Sequence, residues 1–379
     1  MSPVKNIKSF HIFKGRGKPK VVVGMSGGVD SSVAAALLKK KGYEVIGVTF
    51  KTWSKEECGS SFGRACCSLE AVTRSRSVCD RLGVPYYVFD LSLEFKRDVI
   101  DYFCSQYLKG LTPNPCVICN EKIKFGYLLQ KAKAFGAEAV ATGHYARIAN
   151  PAGGARWLLK EGKDKKKDQS YFLFSLSQEQ LKRSIFPLGE ITKERTRKIA
   201  RSLRLETFNT ASSQDVCFIQ DLEYTEYIKR KTGVEIKAGD IVDKVGKVVG
   251  KHKGFPYYTI GQRRGLGVAH SEPLYVTAID VPKNRIVIGT KKDVMRKSLS
   301  AEGLNWVSIG SIDKPVRIFA KIRYGAKKAK ALVTKTGEDS VRVDFDEPQE
   351  APTPGQAIVF YDRDVVVGGG WIKETKIEN

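Results

Sequence analysis

Apolar residues in the first half of the chain alternate between short uninterrupted runs and amphipathic stretches. The runs predict buried strands over 20–24, 44–50, 85–90 and 139–142, and the amphipathic stretches predict helices over 31–40, 68–82, 94–107 and 123–135. Strands that alternate with helices are typical of an α/β fold with a doubly wound parallel sheet. Such a sheet binds ligands at the carboxyl ends of its strands, so functional residues are expected there.

The pattern changes beyond about residue 222, where short β-type runs between glycine-rich turns replace the alternation. These runs lie at 240–249, 274–280, 285–289, 317–324, 331–334, 341–345 and 356–361. We predict an α/β domain over 1–222, whose residues 1–18 form a loose basic extension. Residues 223–290 are predicted to form a small β-rich domain, and residues 291–379 a C-terminal β-barrel.

The link between the first predicted strand and the first helix is rich in glycine and serine. It reads Gly-Met-Ser-Gly-Gly-Val-Asp-Ser-Ser over 24–32. Glycines let the backbone approach a phosphate, and the helix start supplies N–H donors and a positive dipole. Serine hydroxyls add donors, and Asp30 is suited either to hold Mg²⁺ or to position a donor. Neither the Walker motif nor a G-x-G-x-x-G fingerprint is present, so we predict a phosphate site of another type.

The chain contains eight cysteines and no apolar secretory segment at its start. We therefore expect reduced thiols and a cytoplasmic location rather than a disulfide framework. Cys79 and Cys104 are predicted to be small core residues. Cys58, Cys66 and Cys67 lie in a glycine-rich segment, and no role is assigned to them.

Cys116 and Cys119 stand at a predicted helix start, after a segment that two prolines make rigid. A helix N-terminus lowers the pKa of a thiol and favours the thiolate. Half of a zinc site is the alternative, but no second C-x-x-C or H-x₃-H supplies the other ligands. Cys217 lies in an apolar, strand-like run over 212–219, where a buried core cysteine is the alternative to a chemical role.

The charge balance favours a polyanionic partner. Lysine and arginine number 65 against 41 aspartates and glutamates, a formal net charge of +24. Phosphate binding would use this excess and would be sensitive to salt. A membrane surface is the competing partner. We find no apolar run of membrane-spanning length and no long basic amphipathic helix, so no membrane partner is predicted.

The S-G-G-x-D-S pattern over 26–31 resembles the PP-loop ATP pyrophosphatase family, which has an adenine nucleotide alpha hydrolase-like fold. The resemblance implies that ATP is split between its α- and β-phosphates and that a carbonyl oxygen is adenylated. The loop alone leaves amidation, NAD synthesis, lysidine formation and thiolation open.

Further segments, from about residue 18 to the C-terminus, are similar to the bacterial tRNA 2-thiouridylases. They read TPNPCVICNEKIKF at 112–125, ATGHYAR at 141–147, KDQSYFLF at 167–174, SSQDVCFI at 212–219, TIGQRRGLGV at 259–268, VTAIDVPKNRIVIG at 276–289 and GGGW at 368–371. This resemblance implies a sulfurtransferase that uses ATP and Mg²⁺ to 2-thiolate uridine 34 in the tRNAs for Lys, Glu and Gln. AMP and pyrophosphate would be released. A cysteine desulfurase or a sulfur-relay protein would supply the sulfur.

The resemblance also implies roles for individual residues. Cys217 would receive sulfur as a persulfide, and Cys119 would either assist its release as sulfide or resolve it as a disulfide with Cys217. ATP would lie on Gly24, Met25, Ser26, Gly27, Gly28, Val29, Asp30 and Ser31, with Phe50 and Gly143 near the adenosine. Within the tRNA substrate, uridine 34 would enter beside Asn114, Pro115 and Cys116. Further tRNA contacts would be made by His144, Lys167, Asp168, Gln169, Arg323, Tyr324 and Gln356, each of which is a solvated surface residue in the alternative.

Cys116 departs from the best-known form of the family, which has aspartate three residues before the catalytic cysteine. Any role of that aspartate therefore does not transfer. Cys116, Cys119 and Cys217 offer three thiolates to a [4Fe–4S] cluster, whose fourth iron would carry the sulfide. The persulfide scheme is preferred, and the cluster is the alternative.

Two further classes of protein are weighed. A basic RNA-binding module with a vestigial loop is disfavoured, because Ser26, Asp30 and Ser31 are all intact. A PP-loop ligase similar to argininosuccinate synthetase would need neither Cys217 nor a basic C-terminal β region.

Overall fold

The computed structural model describes residues 18–52, 69–151, 154–209, 216–219 and 224–376. The predicted basic extension lies outside these residues except for Lys18, and so do Cys58, Cys66 and Cys67. Within the part that is described, no helix is long and apolar enough to cross a membrane.

Strands and helices are numbered here in chain order. The strands are β1 Lys20–Gly24, β2 Glu44–Lys51, β3 Tyr86–Asp90, β4 Ala139–Ala141, β5 Ala146–Ala149, β6 Leu158–Glu161, β7 Ser184–Ile185, β8 Gly239–Val242, β9 Val248–His252, β10 Tyr275–Asp280, β11 Arg285–Gly289, β12 Met295–Trp306, β13 Val316–Lys321, β14 Ala329–Gly337, β15 Ser340–Glu350, β16 Ala357–Asp362 and β17 Val365–Lys376. The α-helices are α1 Val29–Lys40, α2 Leu69–Leu82, α3 Ser92–Phe95, α4 Asp101–Leu108, α5 Pro115–Ile118, α6 Leu128–Ala134, α7 Gln178–Lys182, α8 Lys193–Ser202 and α9 Tyr224–Thr232.

The first of two compact units contains the described residues of Met1–Val99, Cys116–Gln220 and Asp364–Val366. Its main sheet has the strand order β3-β2-β1-β4-β7, and all neighbours are parallel. From β1 the chain runs outward through β2 and β3, and then crosses to the other side of β1 at β4. This reversal is the topological switch point, beside which open α/β sheets bind ligands.

The residues of β1 explain why this sheet forms. Val21, Val22 and Val23 are all 0% exposed, as expected for a strand covered on both faces. On one face, Val33 and Leu37 of α1 join Val21 and Val23 in one apolar core. Val23 lies opposite Ala141 of β4, so Gly24 and Thr142 leave the sheet side by side at its carboxyl edge.

The second unit contains the described residues of Ile100–Pro115, Asp221–Arg363 and Val367–Asn379. Its smaller sheet has the order β10-β11-β8-β9 around a core that includes Ile241, Val276 and Ile286, all 0% exposed. Its larger sheet runs β12-β15-β14-β13-β16-β17, and β12 also pairs with β17. This second pairing closes the sheet into a barrel and removes its free edges.

The predicted fold class is therefore confirmed: a parallel α/β sheet, a small β-rich part and a C-terminal β-barrel. The predicted domain limits at 222 and 290 stay predictions.

Three predicted elements differ in detail. Lys96–Ile100 is π-helical between α3 and α4, inside the helix predicted over 94–107. The helix predicted over 123–135 begins earlier, at Pro115, and Cys119–Tyr127 within it is π-helical. The strand predicted over 240–249 is wrong as a single strand, because Asp243 accepts hydrogen bonds from Val245 N and Lys247 N and turns the chain between β8 and β9.

Candidate active site

The loop after β1 is held in shape by its own serines. Ser31 Oγ accepts a hydrogen bond from Ser26 N at 3.1 Å and donates to Gly28 O at 3.1 Å. Ser32 Oγ donates to the same carbonyl at 2.9 Å. Ser31 and Ser32 are buried whereas Ser26 is exposed. Two hydroxyls therefore build the loop, while Ser26 and the start of α1 offer donors at its surface.

Two glycines of this region have no room for a side chain. Gly27 has a φ of +68°, and a Cβ there would lie 2.6 Å from Ala71 O. A Cβ on Gly143 would lie 2.7 Å from the Asp30 carbonyl carbon and 2.8 Å from Ser31 N. The segment after β4 thus packs directly on the loop after β1, at the switch point of the sheet.

The predicted nucleotide residues Gly24 to Ser31 and Gly143 are brought together by this packing. Phe50 is half-buried near the end of β2, where it pairs in register with Phe89 of β3. The roles of all these residues in binding ATP stay predictions.

Lys193 is a residue of the site that the sequence did not reveal. Its Nζ lies 2.6 Å from both carboxylate oxygens of Asp30, and its side chain is only 11% exposed. The Tyr145 hydroxyl donates to Asp30 Oδ1 at 2.8 Å and lies 2.9 Å from Thr196 Oγ1. The loop aspartate therefore has a fixed cation and a fixed hydroxyl donor, supplied by α8 and by the segment after β4.

Burial and this hydrogen bond affect Tyr145 in turn. Its pKa is raised far above the ordinary value, first by burial and then by the Asp30 charge. Tyr145 therefore remains a neutral hydroxyl donor across the physiological range.

Cys116 and Cys119 lie where the helix α5 passes into a π-helical stretch. Cys116 is in α5 and Cys119 is the first π-helical residue, and both side chains are half-buried. Asn120 comes next and is 2% exposed; its Nδ2 donates to Phe172 O at 3.0 Å. Asn120 Oδ1 is buried, and no donor among the described residues is hydrogen-bonded to it. π-Helical turns within helices occur frequently at functional sites.

The strand predicted around Cys217 is wrong. The described residues 216–219 form a turn, in which Ile219 N donates to Val216 O at 3.0 Å. Phe218 is buried and meets the Phe95 ring edge-on at 6.0 Å, whereas Cys217 is half-buried. The turn thus anchors its phenylalanine and leaves the neighbouring thiol partly accessible. Residues 210–215 of the matching motif lie outside the described part of the chain.

Cys79 and Cys104 are buried, which confirms that they are core cysteines. Burial raises the pKa of the Cys79 thiol to about 12, so this thiol stays protonated and unreactive.

His144, predicted to contact tRNA, is only 7% exposed. Its Nδ1 lies 2.6 Å from Thr142 Oγ1, and its ring lies within 6 Å of the Phe125 and Phe186 rings. Burial, followed by the charge of Lys124, lowers the pKa of His144 well below its ordinary value. The imidazole is therefore neutral at physiological pH and does not act there as a cationic phosphate ligand.

Asp168 and Gln169 are bonded within the first unit. Asp168 is 7% exposed and accepts hydrogen bonds from Gly162 N and from the Ser170 hydroxyl, at 2.8 and 2.9 Å. Burial is the main reason why the pKa of Asp168 is raised. Gln169 Oε1 accepts from Tyr145 N at 2.9 Å, and Lys167 remains half-exposed in the preceding turn.

In the second unit, Arg323 and Tyr324 are exposed, whereas Asn114 and Pro115 are buried. Gln356 is far from this buried pair in sequence but close to it in the fold, because its Nε2 donates to Thr112 O at 2.9 Å. The tRNA contacts assigned to these residues stay predictions.

Among the described residues, no group of three or more His, Cys, Asp or Glu side chains is arranged to hold a metal ion. Cys116, Cys119 and Cys217 all belong to the residues so described. The cluster held by these three cysteines therefore stays an alternative that the described residues do not support.

Three family models match the chain in succession. They are described as a tRNA methyl transferase HUP domain over 19–221, a tRNA methyl transferase PRC-barrel domain over 225–290 and an aminomethyltransferase beta-barrel domain over 296–372. Proteins named tRNA-specific 2-thiouridylase MnmA are similar along almost the whole chain. The one from Clostridioides difficile is 47% identical over 356 residues, which cover 94% of this chain and 98% of that protein. The one from Acetivibrio thermocellus is 49% identical over 358 residues, with 94% and 99% covered.

The chain belongs to the MnmA family. The resemblance inferred from the nucleotide loop and the cysteine motifs is thereby confirmed. Among solved structures, an NMN synthetase from Francisella tularensis has 14% identity and a TM-score of 0.33, over 57% of this chain and 78% of that one, and supports no conclusion. The chemical roles predicted for the loop after β1, for Cys116 and Cys119 and for the Cys217 turn stay predictions.

Proposed function

We propose that this protein 2-thiolates uridine 34 of the tRNAs for Lys, Glu and Gln in an ATP-dependent reaction that releases AMP and pyrophosphate. Membership of the MnmA family supports this reaction. The observation that carries it is the presence, in one compact unit, of a phosphate-type loop at the switch point of the sheet and of the half-buried cysteines Cys116, Cys119 and Cys217. A ligase would use the first feature and not the second.

The first half of the reaction activates the uridine. Its C2 oxygen attacks the α-phosphate of ATP, pyrophosphate leaves, and the base becomes adenylated. The packed glycines Gly27 and Gly143 bring the backbone close to the phosphates. Asp30 would hold the Mg²⁺ that accompanies ATP, which is commonly bound by one or two carboxylates together with phosphate oxygens and which neutralises their charge. Lys193, the partner of Asp30, is then available to the phosphate charge.

The second half transfers sulfur. A cysteine desulfurase or relay protein leaves sulfur on Cys217 as Cys–S–SH. In the first route, the terminal sulfur attacks C2, AMP leaves, and the Cys119 thiolate attacks the Cys217 sulfur to release thiouridine. In the second route, Cys119 attacks first, and the sulfide released displaces AMP. Both routes reduce the sulfane sulfur by two electrons and leave a Cys119–Cys217 disulfide, which a dithiol reductant reopens for the next cycle.

A [4Fe–4S] cluster remains the alternative source of sulfide, although the arrangement of the three cysteines does not support it. Iron analysis of protein purified without oxygen separates the two. Full activity in an iron-free preparation supports the persulfide route, and four irons bound per active chain would overturn it.

Recognition of tRNA is proposed to combine direct contacts with residues that shape the surface. Direct contact is assigned to Cys116, Lys167, Arg323 and Tyr324, whose side chains are exposed or half-exposed. Asn114 and Pro115 border the uridine, while the buried or internally bonded His144, Asp168 and Gln169 support that surface. The net charge of +24 suits this polyanionic substrate. The three-part division at 222 and 290 is proposed to separate the ATP-binding part from two tRNA-facing parts.

The first test is tRNA-dependent cleavage of ATP to AMP. Unmodified tRNA is expected to stimulate AMP release, and a transcript with cytidine at position 34 is not. Equal stimulation by both transcripts, or ADP as the product, would contradict the proposal. A methylated rather than thiolated uridine would instead support the reaction named in the descriptions of two of the family models.

A further inference from the structure

A loop of the C-terminal barrel is hydrogen-bonded to the segment that precedes α5. This helix carries Cys116 and is called the cysteine helix below, and the hydrogen-bonded segment is called the gripped segment. The loop lies between β15 and β16, and the gripped segment is Leu111–Pro113; both belong to the second unit. Thr112 N donates to Pro354 O at 2.9 Å. In return, Gln356 Nε2 donates to Thr112 O at 2.9 Å and to Pro113 O at 3.3 Å. Thr112 is therefore held through both its N–H and its carbonyl.

Gly355 makes the close approach of the two segments feasible. Its φ is +89°, and a Cβ there would lie 2.9 Å from Thr112 N and 3.0 Å from Leu111 Cβ. Gly355 N also donates to Ile372 O, and Ile372 N donates to Gln356 O, both at 2.9 Å. Since Ile372 lies in β17, the gripping loop is fixed to the closed barrel rather than free to follow the segment it holds.

Two prolines stiffen the stretch that leads from Thr112 to Cys116. Pro113 and Pro115 have no N–H, so the stretch before Cys116 supplies few backbone donors of its own. The prolines also fix φ, so a displacement at Thr112 passes along a stiff connection to the start of α5. A positional error of about 1 Å in reacting groups can cost a factor of about 10² in rate.

We propose that the loop Thr353–Gln356, here called the barrel clamp, positions the Thr112–Pro115 segment and hence the start of the cysteine helix. Gln356 is then a positioning residue for sulfur transfer rather than a residue that recognises tRNA, because both of its N–H donors are directed at backbone carbonyls. The barrel takes part in the reaction through this contact. The inference rests on the proposed thiolation reaction for its effect on rate, although not for its effect on the backbone.

Gln356→Glu is the variant that tests the clamp. Glutamate has the same size but has no N–H, and its carboxylate would face two carbonyl oxygens. Gln349→Glu is the matched control, since it makes the same charge change in the same barrel, where Gln349 Nε2 donates to Glu347 O. The rate of thiouridine formation at saturating tRNA is expected to fall on the order of tenfold in Gln356→Glu. The dissociation constant for tRNA should stay within about twofold of that of the control.

Gly355→Ala separates the clamp from tRNA recognition, because it adds only a methyl group directed at Thr112. It is expected to lower the rate with tRNA affinity unchanged, as Gln356→Glu does. Hydrogen exchange at the Thr112 amide should be faster in both variants and unchanged in Gln349→Glu. Should Gly355→Ala fail to fold, Gln356→Glu and its control still decide the matter.

Two outcomes would overturn the proposal. One is a tenfold loss of tRNA affinity in Gln356→Glu with a normal rate at saturation, which would make Gln356 a tRNA contact. The other is an unchanged rate together with unchanged exchange at Thr112. If the wild-type protein forms no thiouridine, the proposed reaction fails, whereas the exchange measurements still test the clamp.

Discussion

The proposed nucleotide loop and the cysteines proposed for sulfur transfer belong to the same compact unit but are built in opposite ways. In the loop, the Ser31 and Ser32 hydroxyls are bonded internally, and Gly27 and Gly143 pack against backbone. Cys119 and Cys217 instead stand half-buried, one at the start of a π-helical stretch and one in a turn. Adenylation depends on a preorganised cradle, whereas a sulfur carrier must be reached by both its donor and its substrate. The two halves of the reaction should therefore be separable by mutation.

The largest effect is expected for Cys217→Ser. A hydroxyl cannot hold a persulfide, so thiouridine formation should fall by roughly 10³-fold or more, as for loss of a covalent nucleophile. tRNA-dependent AMP release in a single turnover should remain within about threefold of wild type, because the loop is untouched. The measurement is thiouridine and AMP from the same reaction.

Cys79→Ala is the control for Cys217→Ser, since it removes a buried thiol that the raised pKa keeps unreactive. It should keep both activities. If Cys217→Ser lost AMP release as completely as thiolation while remaining folded, the two halves would not be separate.

Gly27→Ala should damage the other half. An alanine at this position would have to adopt a φ of +68°, and its Cβ would lie 2.6 Å from Ala71 O. We expect AMP release to fall by about 10²-fold, because the loop must move from its cradle geometry. Gly42→Ala is the matched control: its φ is +88°, but among the described residues, its two chain neighbours aside, no atom lies within 4 Å of the added Cβ. Equal effects on adenylation in both variants would show that packing at Gly27 is unimportant.

Lys193→Met tests whether the cation on Asp30 belongs to the adenylation half. AMP release should fall by about tenfold, which corresponds to about 1.4 kcal/mol of transition-state stabilisation. Lys193→Arg should restore part of the loss. Lys198→Met on the same helix is the control, since Lys198 is 67% exposed and pairs with Glu194. A normal rate in Lys193→Met would reduce the Asp30 pair to a structural contact.

The smallest effect is a pH dependence of stability that arises from the buried His144. Because the pKa of His144 is lowered by burial, the unfolded chain binds a proton that the folded protein does not. His144 therefore lowers stability as pH falls below its unfolded pKa of about 6.5, by at most about 1.4 kcal/mol per pH unit. His144→Phe should flatten this acid side when unfolding curves are compared from pH 7 to pH 5. Parallel curves for the two proteins would contradict the burial of a neutral imidazole.

The sequence predicted the turn after β1 and the helix that follows it because the determinants of this loop are local. The turn, the helix start and the serine donors all lie within residues 24–32. Lys193 could not be found in this way, because it meets Asp30 only after β4 and α8 are in place. The burial of His144 and Asp168 is likewise a tertiary property, and family resemblance alone gave them a surface role.

The sequence analysis missed strands whose residues are not typical of β-strands. β12 is polar along much of its length, and β17 contains Gly368, Gly369 and Gly370, which lower β propensity. A Cβ on Gly368 would lie 2.6 Å from Asn305 O, so this glycine is required by the close pairing of β17 with β12. Around Cys217 the apolar pattern predicted a strand, but Phe218 is buried from a turn instead.

Nucleoside mass spectrometry of tRNA incubated with the protein, ATP and a sulfur source tests the central claim most directly. The account predicts 2-thiouridine at position 34 that depends on ATP and on Cys217, with one AMP formed for each thiouridine. Unmodified uridine in a reaction that consumes ATP, or a product modified at another position, would contradict it.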